Sequence, residues 1–113
     1  SSVCEEALLL RAGVTGGAVG GAADTPMFGA ECSSSSSLRE AVFRVRALHP
    51  MQIRLHAEGF GLSIQEGCGG RSLTCAPTNV GRVEARLEPG EYTVVVQGRP
   101  GAAFQLETEI ERL

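Results

Sequence analysis

The sequence predicts an all-β domain of two packed antiparallel sheets. Three observations carry that reading: apolar and polar residues alternate with period two along most of the chain, the breaks fall on Pro and Gly, and four cysteines sit within 113 residues. Period-two alternation puts one face of a strand against a core and the other in water. With about six to nine short strands and no helical periodicity, two stacked sheets are the natural way to bury those faces. At this length the chain is one domain, spanning 1–113.

Taken in order, residues 7–11 and 14–16 read as N-terminal strands, and about 16–37 as a long loop rich in Gly, Ala and Ser. Over 39–47, Ala41, Phe43, Val45 and Ala47 alternate with Glu40, Val42, Arg44 and Arg46. A helix over 38–48 would scatter these apolar residues around its cylinder, so a strand is preferred. Met51, Ile53, Leu55 and Ala57 repeat the pattern against Gln52, Arg54, His56 and Glu58, and Phe60, Leu62 and Ile64 face away from Gly61, Ser63 and Gln65. Val83, Ala85 and Leu87 oppose Arg82, Glu84 and Arg86. Tyr92, Val94 and Val96 oppose Thr93, Val95 and Gln97, and Phe104, Leu106, Thr108 and Ile110 oppose Gln105, Glu107 and Glu109.

The predicted core follows from those faces: Phe43, Val45, Ile53, Leu55, Leu62, Val83, Leu87, Tyr92, Val94, Val96, Phe104 and Leu106. Turns are expected at His49-Pro50, Glu58-Gly59, Gly69-Gly70, Pro89-Gly90 and Pro100-Gly101. Pro89-Gly90 suits the central pair of a type II turn, where Pro presets the first angle and Gly accepts the positive second one.

An even cysteine count in a small strand-rich chain reads as a disulfide framework, and so as an oxidising compartment outside the cytosol. Cys4, Cys32, Cys68 and Cys75 allow three connectivities. The expected pairing is sequence-local, Cys4 with Cys32 and Cys68 with Cys75, because Gly69-Gly70 can turn the chain between the second pair. Loop entropy then contributes roughly 3.6 and about 2.5 kcal/mol.

A net charge of −3, a single Tyr and no Trp argue against nucleic-acid binding. All 10 basic residues are Arg, as codon usage in a high-GC bacterial genome favours. The longest apolar run, at 7–10, cannot cross a bilayer. The opening Ser1-Ser2-Val3-Cys4-Glu5-Glu6 has neither a basic nor an apolar region of a signal peptide, so a secreted chain has lost its leader or is part of a longer protein. A lipid-modified Cys4 would leave Cys32 without a partner.

Catalytic and metal chemistries are thinly represented. Asp24, His49, His56 and many Ser supply the residue types of a catalytic triad, yet no nucleophile elbow is present and His49 precedes a turn proline. Solvent-facing histidines account for both. Zinc is not indicated, because no Cys-x-x-Cys occurs and neither His lies at ligand spacing from a Cys. Asp24, Glu31 and Glu40 are calcium candidates if the long loop folds over the third strand, against a simpler role in anchoring that loop by hydrogen bonds. Gly16-Gly17 and Gly20-Gly21 have no following Gly-Lys-Ser/Thr or helix, so they make no phosphate cradle. The serine run at 33–37 reads as surface loop, and Asn79 is followed by Val80 and Gly81, which is no N-glycosylation acceptor.

Arg44, Arg46, Arg54, His56, Arg82 and Arg86 fall on outward strand positions. If those strands share a sheet they form a basic interaction face, opposed by Glu107, Glu109 and Glu111, and the two patches can steer head-to-tail association. The alternative is solubilising charge held in cross-strand pairs.

Several segments together carry a resemblance. Val14-Thr15-Gly16-Gly17-Ala18, Ala22-Ala23-Asp24-Thr25 and Glu40-Ala41-Val42-Phe43-Arg44-Val45 follow an early Cys. Met51-Gln52-Ile53-Arg54-Leu55 and Gly59-Phe60-Gly61-Leu62-Ser63-Ile64 come next. The closing stretch is the most distinctive, running Leu87-Glu88-Pro89-Gly90-Glu91-Tyr92-Thr93-Val94-Val95-Val96-Gln97-Gly98 and then Phe104-Gln105-Leu106-Glu107-Thr108. Over nearly its whole length the chain resembles the bacterial pre-peptidase C-terminal domain family, in its cysteine-containing secreted form. The resemblance implies a jelly-roll-like β-sandwich and an extracellular or cell-surface, non-catalytic accessory module. Its expected partners are attached domains, identical subunits or an extracellular polymer. Some collagenase-linked relatives bind collagen and calcium, but this chain has one Asp and no acidic run before its first strand, so no cofactor is expected. The expected function is a module for adhesion, substrate targeting or assembly of a larger extracellular protein. The rivals are a self-assembling fibre or surface-layer subunit and a hydrolase, the latter disfavoured by the absence of a clustered nucleophile and base.

Overall fold

The computed structural model of the chain describes residues 7–21, 38–68 and 70–113. These form β1 (Leu8–Leu9), β2 (Gly13–Ala18), β3 (Arg39–Ala47), β4 (Met51–His56), β5 (Gly61–Glu66), β6 (Ser72–Ala76), β7 (Arg82–Leu87), β8 (Gly90–Gly98) and β9 (Ala103–Arg112). One sheet has five strands in the order β1-β3-β8-β5-β6, the other four in the order β2-β9-β4-β7. The protein is an all-β sandwich. All pairings are antiparallel except that of β1 with β3.

Register explains why these segments assemble. Phe43 faces Val94 and Val45 faces Tyr92 across β3 and β8, so the apolar rows of both strands share the inner face. In the other sheet Ile53 stands between Ala85 and Ile110, and Leu55 between Val83 and Thr108. Leu62, Ile64, Leu87, Val94, Val96, Ile53 and Leu106 are fully buried. Each such side chain contributes about 1.5–3 kcal/mol on leaving water. Phe104 anchors one end, meeting Phe43 edge-on at 6.1 Å and Phe60 at 5.6 Å between ring centroids. Of the predicted core, Tyr92 is half-buried against the cluster and the other residues belong to it.

The path of the chain differs from a meander. Among the described strands only β5 and β6 pair as a hairpin of consecutive strands; from β3 to β5, and again from β6 to β9, each connection passes from one sheet to the other. Pro89-Gly90 makes one of these crossings, with Gly90 at φ 155°. That angle is not the roughly +80° of a type II turn. The correction follows from topology, since β7 and β8 lie in different sheets and need a corner rather than a tight reversal.

Two other expectations need correction. Gly16, Gly17 and Ala18 are not loop but the second half of β2, laid against Gln105, Phe104 and Ala103. Residues 72–76, for which no strand was expected, are the edge strand β6. The alternation also fails to predict the outer face of the five-stranded sheet, where Ser63, Gln65, Thr93, Val95 and Gln97 are buried. The Thr93 hydroxyl donates there to the carbonyl of Gly67.

Cys68 and Cys75 are both disulfide-bonded. They do not face each other, however. Cys75 stands opposite Ser63, whereas Cys68 lies past the end of the β5–β6 ladder, next to Gly67, whose N–H donates to the Glu91 carbonyl at 2.9 Å. At about 3.4 Å per residue the two are separated by roughly 10 Å or more along the hairpin. A disulfide spans Cα atoms no more than about 7 Å apart, so the expected Cys68–Cys75 bridge is incompatible with this register. The expected Cys4–Cys32 bridge lies outside the described residues.

Candidate functional site

The outer face of the four-stranded sheet is where charged side chains and grooves coincide. Strand β4 lies at its centre, paired with β9 on one side and β7 on the other, so each outward residue of β4 has a neighbour on both. Arg54 is opposite Glu84 and Glu109, and His56 is opposite Arg82 and Glu107. The side chains realise that register. Arg54 Nε donates to Glu84 Oε2 at 3.0 Å, and its Nη1 lies 3.7 Å from Glu111 Oε2 and 4.0 Å from Glu109 Oε2. Gln52 Nε2 donates to the other Glu84 oxygen at 2.8 Å. His56 Nδ1 and Glu107 Oε2 share a hydrogen bond of 3.0 Å.

Two grooves flank the His56–Glu107 pair, which contributes to the walls of both. One, of about 570 Å³, runs between Gly13 and Val14 of β2, Arg54 and Arg82. The other, of about 480 Å³, lies over Gly16 and Gly17 and reaches Phe60 and Phe104. Gly16 leaves this second depression open, since a Cβ there would meet nothing within 4 Å, whereas one on Gly17 would stand 2.8 Å from Phe104 Cζ on the core side. Chemically, His56 beside Glu107 is a proton acceptor and donor at the rim of a polar trough. No Ser, Cys or Lys lines either groove, and Thr108, the hydroxyl residue of the first, is buried. Exposed ion pairs of this kind contribute about 0–1 kcal/mol each, so stability alone does not require them.

The structure separates the six residues expected to form one basic face. Arg44 and Arg46 belong to β3 of the five-stranded sheet, while Arg54, His56, Arg82 and Arg86 belong to β4 and β7 of the other. Both sets point outward, on opposite sides of the sandwich. Nor are the acidic residues segregated: Glu107, Glu109 and Glu111 lie beside His56 and Arg54 on the same face. Arg46 pairs with Glu91 at 2.7 Å, Arg86 with Glu88 at 2.9 Å, and Arg44 Nε donates to the Ala7 carbonyl at 3.0 Å. Cross-strand Arg/Glu pairing, the alternative in the sequence, is what the register produces. Arg82 has no ion pair among the described residues.

Of the calcium candidates, Asp24 and Glu31 lie outside the described residues. Glu40 sits in β3, and its Oε2 accepts from Gln97 Nε2 at 3.3 Å. Among the described residues no cluster of His, Cys, Asp and Glu is arranged to hold a metal ion. His49 is exposed on the β3–β4 connection, and the serine run at 33–37 lies outside the described residues, so the triad types are not brought together among those described. The grooves themselves escaped the sequence reading. The signal for the second was Gly16 and Ala18, small residues on the outward row of β2 that leave little side chain over that face. In comparisons with known proteins, the chain matches no family model, no curated protein and no solved structure.

Proposed function

We propose that the protein is a secreted, non-enzymatic accessory module of the pre-peptidase C-terminal type, with jelly-roll-like topology, acting at or outside the cell surface. It supports adhesion, substrate targeting or assembly of a larger extracellular bacterial protein, takes no cofactor, and engages attached domains or an extracellular polymer rather than nucleic acid. The observation that carries this reading is the pair of disulfide-bonded cysteines, Cys68 and Cys75, on an all-β sandwich. Disulfides persist in oxidising compartments, and they reinforce small domains exposed to harsh surroundings. The grooved face adds support, because its acidic and basic groups are matched to one another and offer a shallow polar surface to a partner.

The test is twofold. The purified chain is screened against a broad panel of ester, peptide and glycoside substrates, with a Glu107→Gln variant as control, and then sedimented with insoluble collagen, chitin, cellulose and peptidoglycan. The expected result is no turnover and retention on at least one polymer. Turnover that is lost in the Glu107→Gln variant would overturn the reading in favour of a hydrolase.

A second reading, a self-assembling subunit, has one observation of its own. Strand β2 is a six-residue edge strand whose Val14 is exposed, and edge strands template pairing with another chain. Size-exclusion chromatography of the free chain separates the two readings.

A further inference from the structure

The five-stranded sheet is buried on the side that faces away from its partner. Val95 has no exposed surface, yet it stands outside the core cluster between the sheets. Ser63, Thr93, Gln97 and Gln65 surround it at 0%, 2%, 4% and 5% exposure. No described strand lies over them. Among the described residues, Ser63 Oγ and the Oε1 atoms of Gln65 and Gln97 have no hydrogen-bond partner, which is unusual for buried polar atoms.

Cys75 belongs to this face. Ser63 pairs with Val95 on one side and with Cys75 on the other, and residues directly opposite across a ladder project to the same side. Any sulfur bonded to Cys75 therefore comes to rest on the face where burial exceeds what the described strands supply. Cys68 leaves the sheet at the end of β5, several residues along the hairpin and beyond disulfide reach of Cys75. Both are nonetheless disulfide-bonded, and the chain has only four cysteines.

We infer that Cys68 and Cys75 are each bridged to one of the two remaining cysteines, Cys4 and Cys32, rather than to each other. Two independent bridges then tie the chain before β3 to the β5–β6 edge of the sheet. They differ in access, because Cys68 is exposed and Cys75 half-buried. Thiol–disulfide exchange needs an approach to the sulfur, so the bridge at Cys68 is the one a reductant opens first. In a Cys68–Cys75 pair both thiols would be released together.

The cleavage sites of trypsin suit the test. Arg11 separates Cys4 from Cys32, and Arg71 separates Cys68 from Cys75. The native protein is treated with a thiol-blocking reagent at acid pH, unfolded without reductant and digested. The expected result is peptide 55–71 linked to 1–11 or 12–39, and peptide 72–82 linked to the other. A direct link between 55–71 and 72–82 would overturn the inference. As a second readout, graded reduction of the folded protein with alkylation should label Cys68 ahead of Cys75. Equal labelling of the two at every reductant concentration would count against separate bridges.

Discussion

The ring of Phe60 occupies the space that a side chain on Gly98 would need. A Cβ built at residue 98 stands 2.5 Å from both Cδ2 and Cε2 of that ring. Phe60 in turn rests edge-on against Phe104, so the glycine at the end of β8 lets one aromatic reach another across the end of the sandwich.

Gly98→Ala is accordingly expected to destabilise the fold by about 1–3 kcal/mol, the usual cost of overpacking. Removing the ring in a Gly98→Ala/Phe60→Ala double variant should recover part of the loss. Urea denaturation of the four members of this cycle measures the coupling, and additivity would show that the ring moves aside freely.

Val94 and Val95 offer a sharper test of burial. Strict alternation allows only one of two adjacent strand residues to be buried, yet both are fully so. Val94→Asp and Val95→Asp should therefore both cost several kcal/mol, roughly 3 or more, because each buries an unpaired carboxylate. Thermal melts would show it. A Val95→Asp protein with a near-native Tm would mean that the outer face opens to water.

The Arg54–Glu84 pair should behave as surface electrostatics does. With side chains about half exposed, at 45% and 52%, a double-mutant cycle is expected to give about 0.2–1 kcal/mol of coupling. The coupling should shrink in molar salt, where the screening length falls to about 3 Å. A coupling that is large and insensitive to salt would mark Arg54 as a group held for binding rather than for solubility.

Millimolar calcium, or its removal with a chelator, should leave the Tm unchanged. Glu40 already accepts a hydrogen bond from Gln97 within the five-stranded sheet. A calcium-dependent rise in Tm that is lost on Glu40→Gln would restore the site formed with Asp24 and Glu31.

What the sequence made legible is the inner layer. Alternation at Phe43/Val45, Ile53/Leu55 and Leu62/Ile64 named the residues that meet between the sheets, because a half-buried strand has only one apolar face to offer. The same rule misplaced Ser63, Thr93 and Gln97, since it assigns polar residues to water and cannot register a face that is covered a second time. Strand β6 was hidden by Ser72, Thr74 and the cysteines, which carry turn and crosslink signals as readily as strand ones. The charged face was legible residue by residue but not as a whole. Which arginine meets which glutamate depends on register and strand order, and neither is written in local periodicity.

The order of strands in space has a consequence for how the molecule is made. Strands β8 and β9, the last two of the sandwich in chain order, sit inside their sheets, β8 between β3 and β5 and β9 between β2 and β4. Until they emerge from the ribosome, β3 has only β1 and β4 only β7 beside it, and among the described strands β5–β6 is the one hairpin that can form locally. Folding therefore waits for long-range closure, which places such topologies among the slower folders, in milliseconds to seconds. A chain that remains open until its last strands are made is one that can still be threaded through a membrane pore.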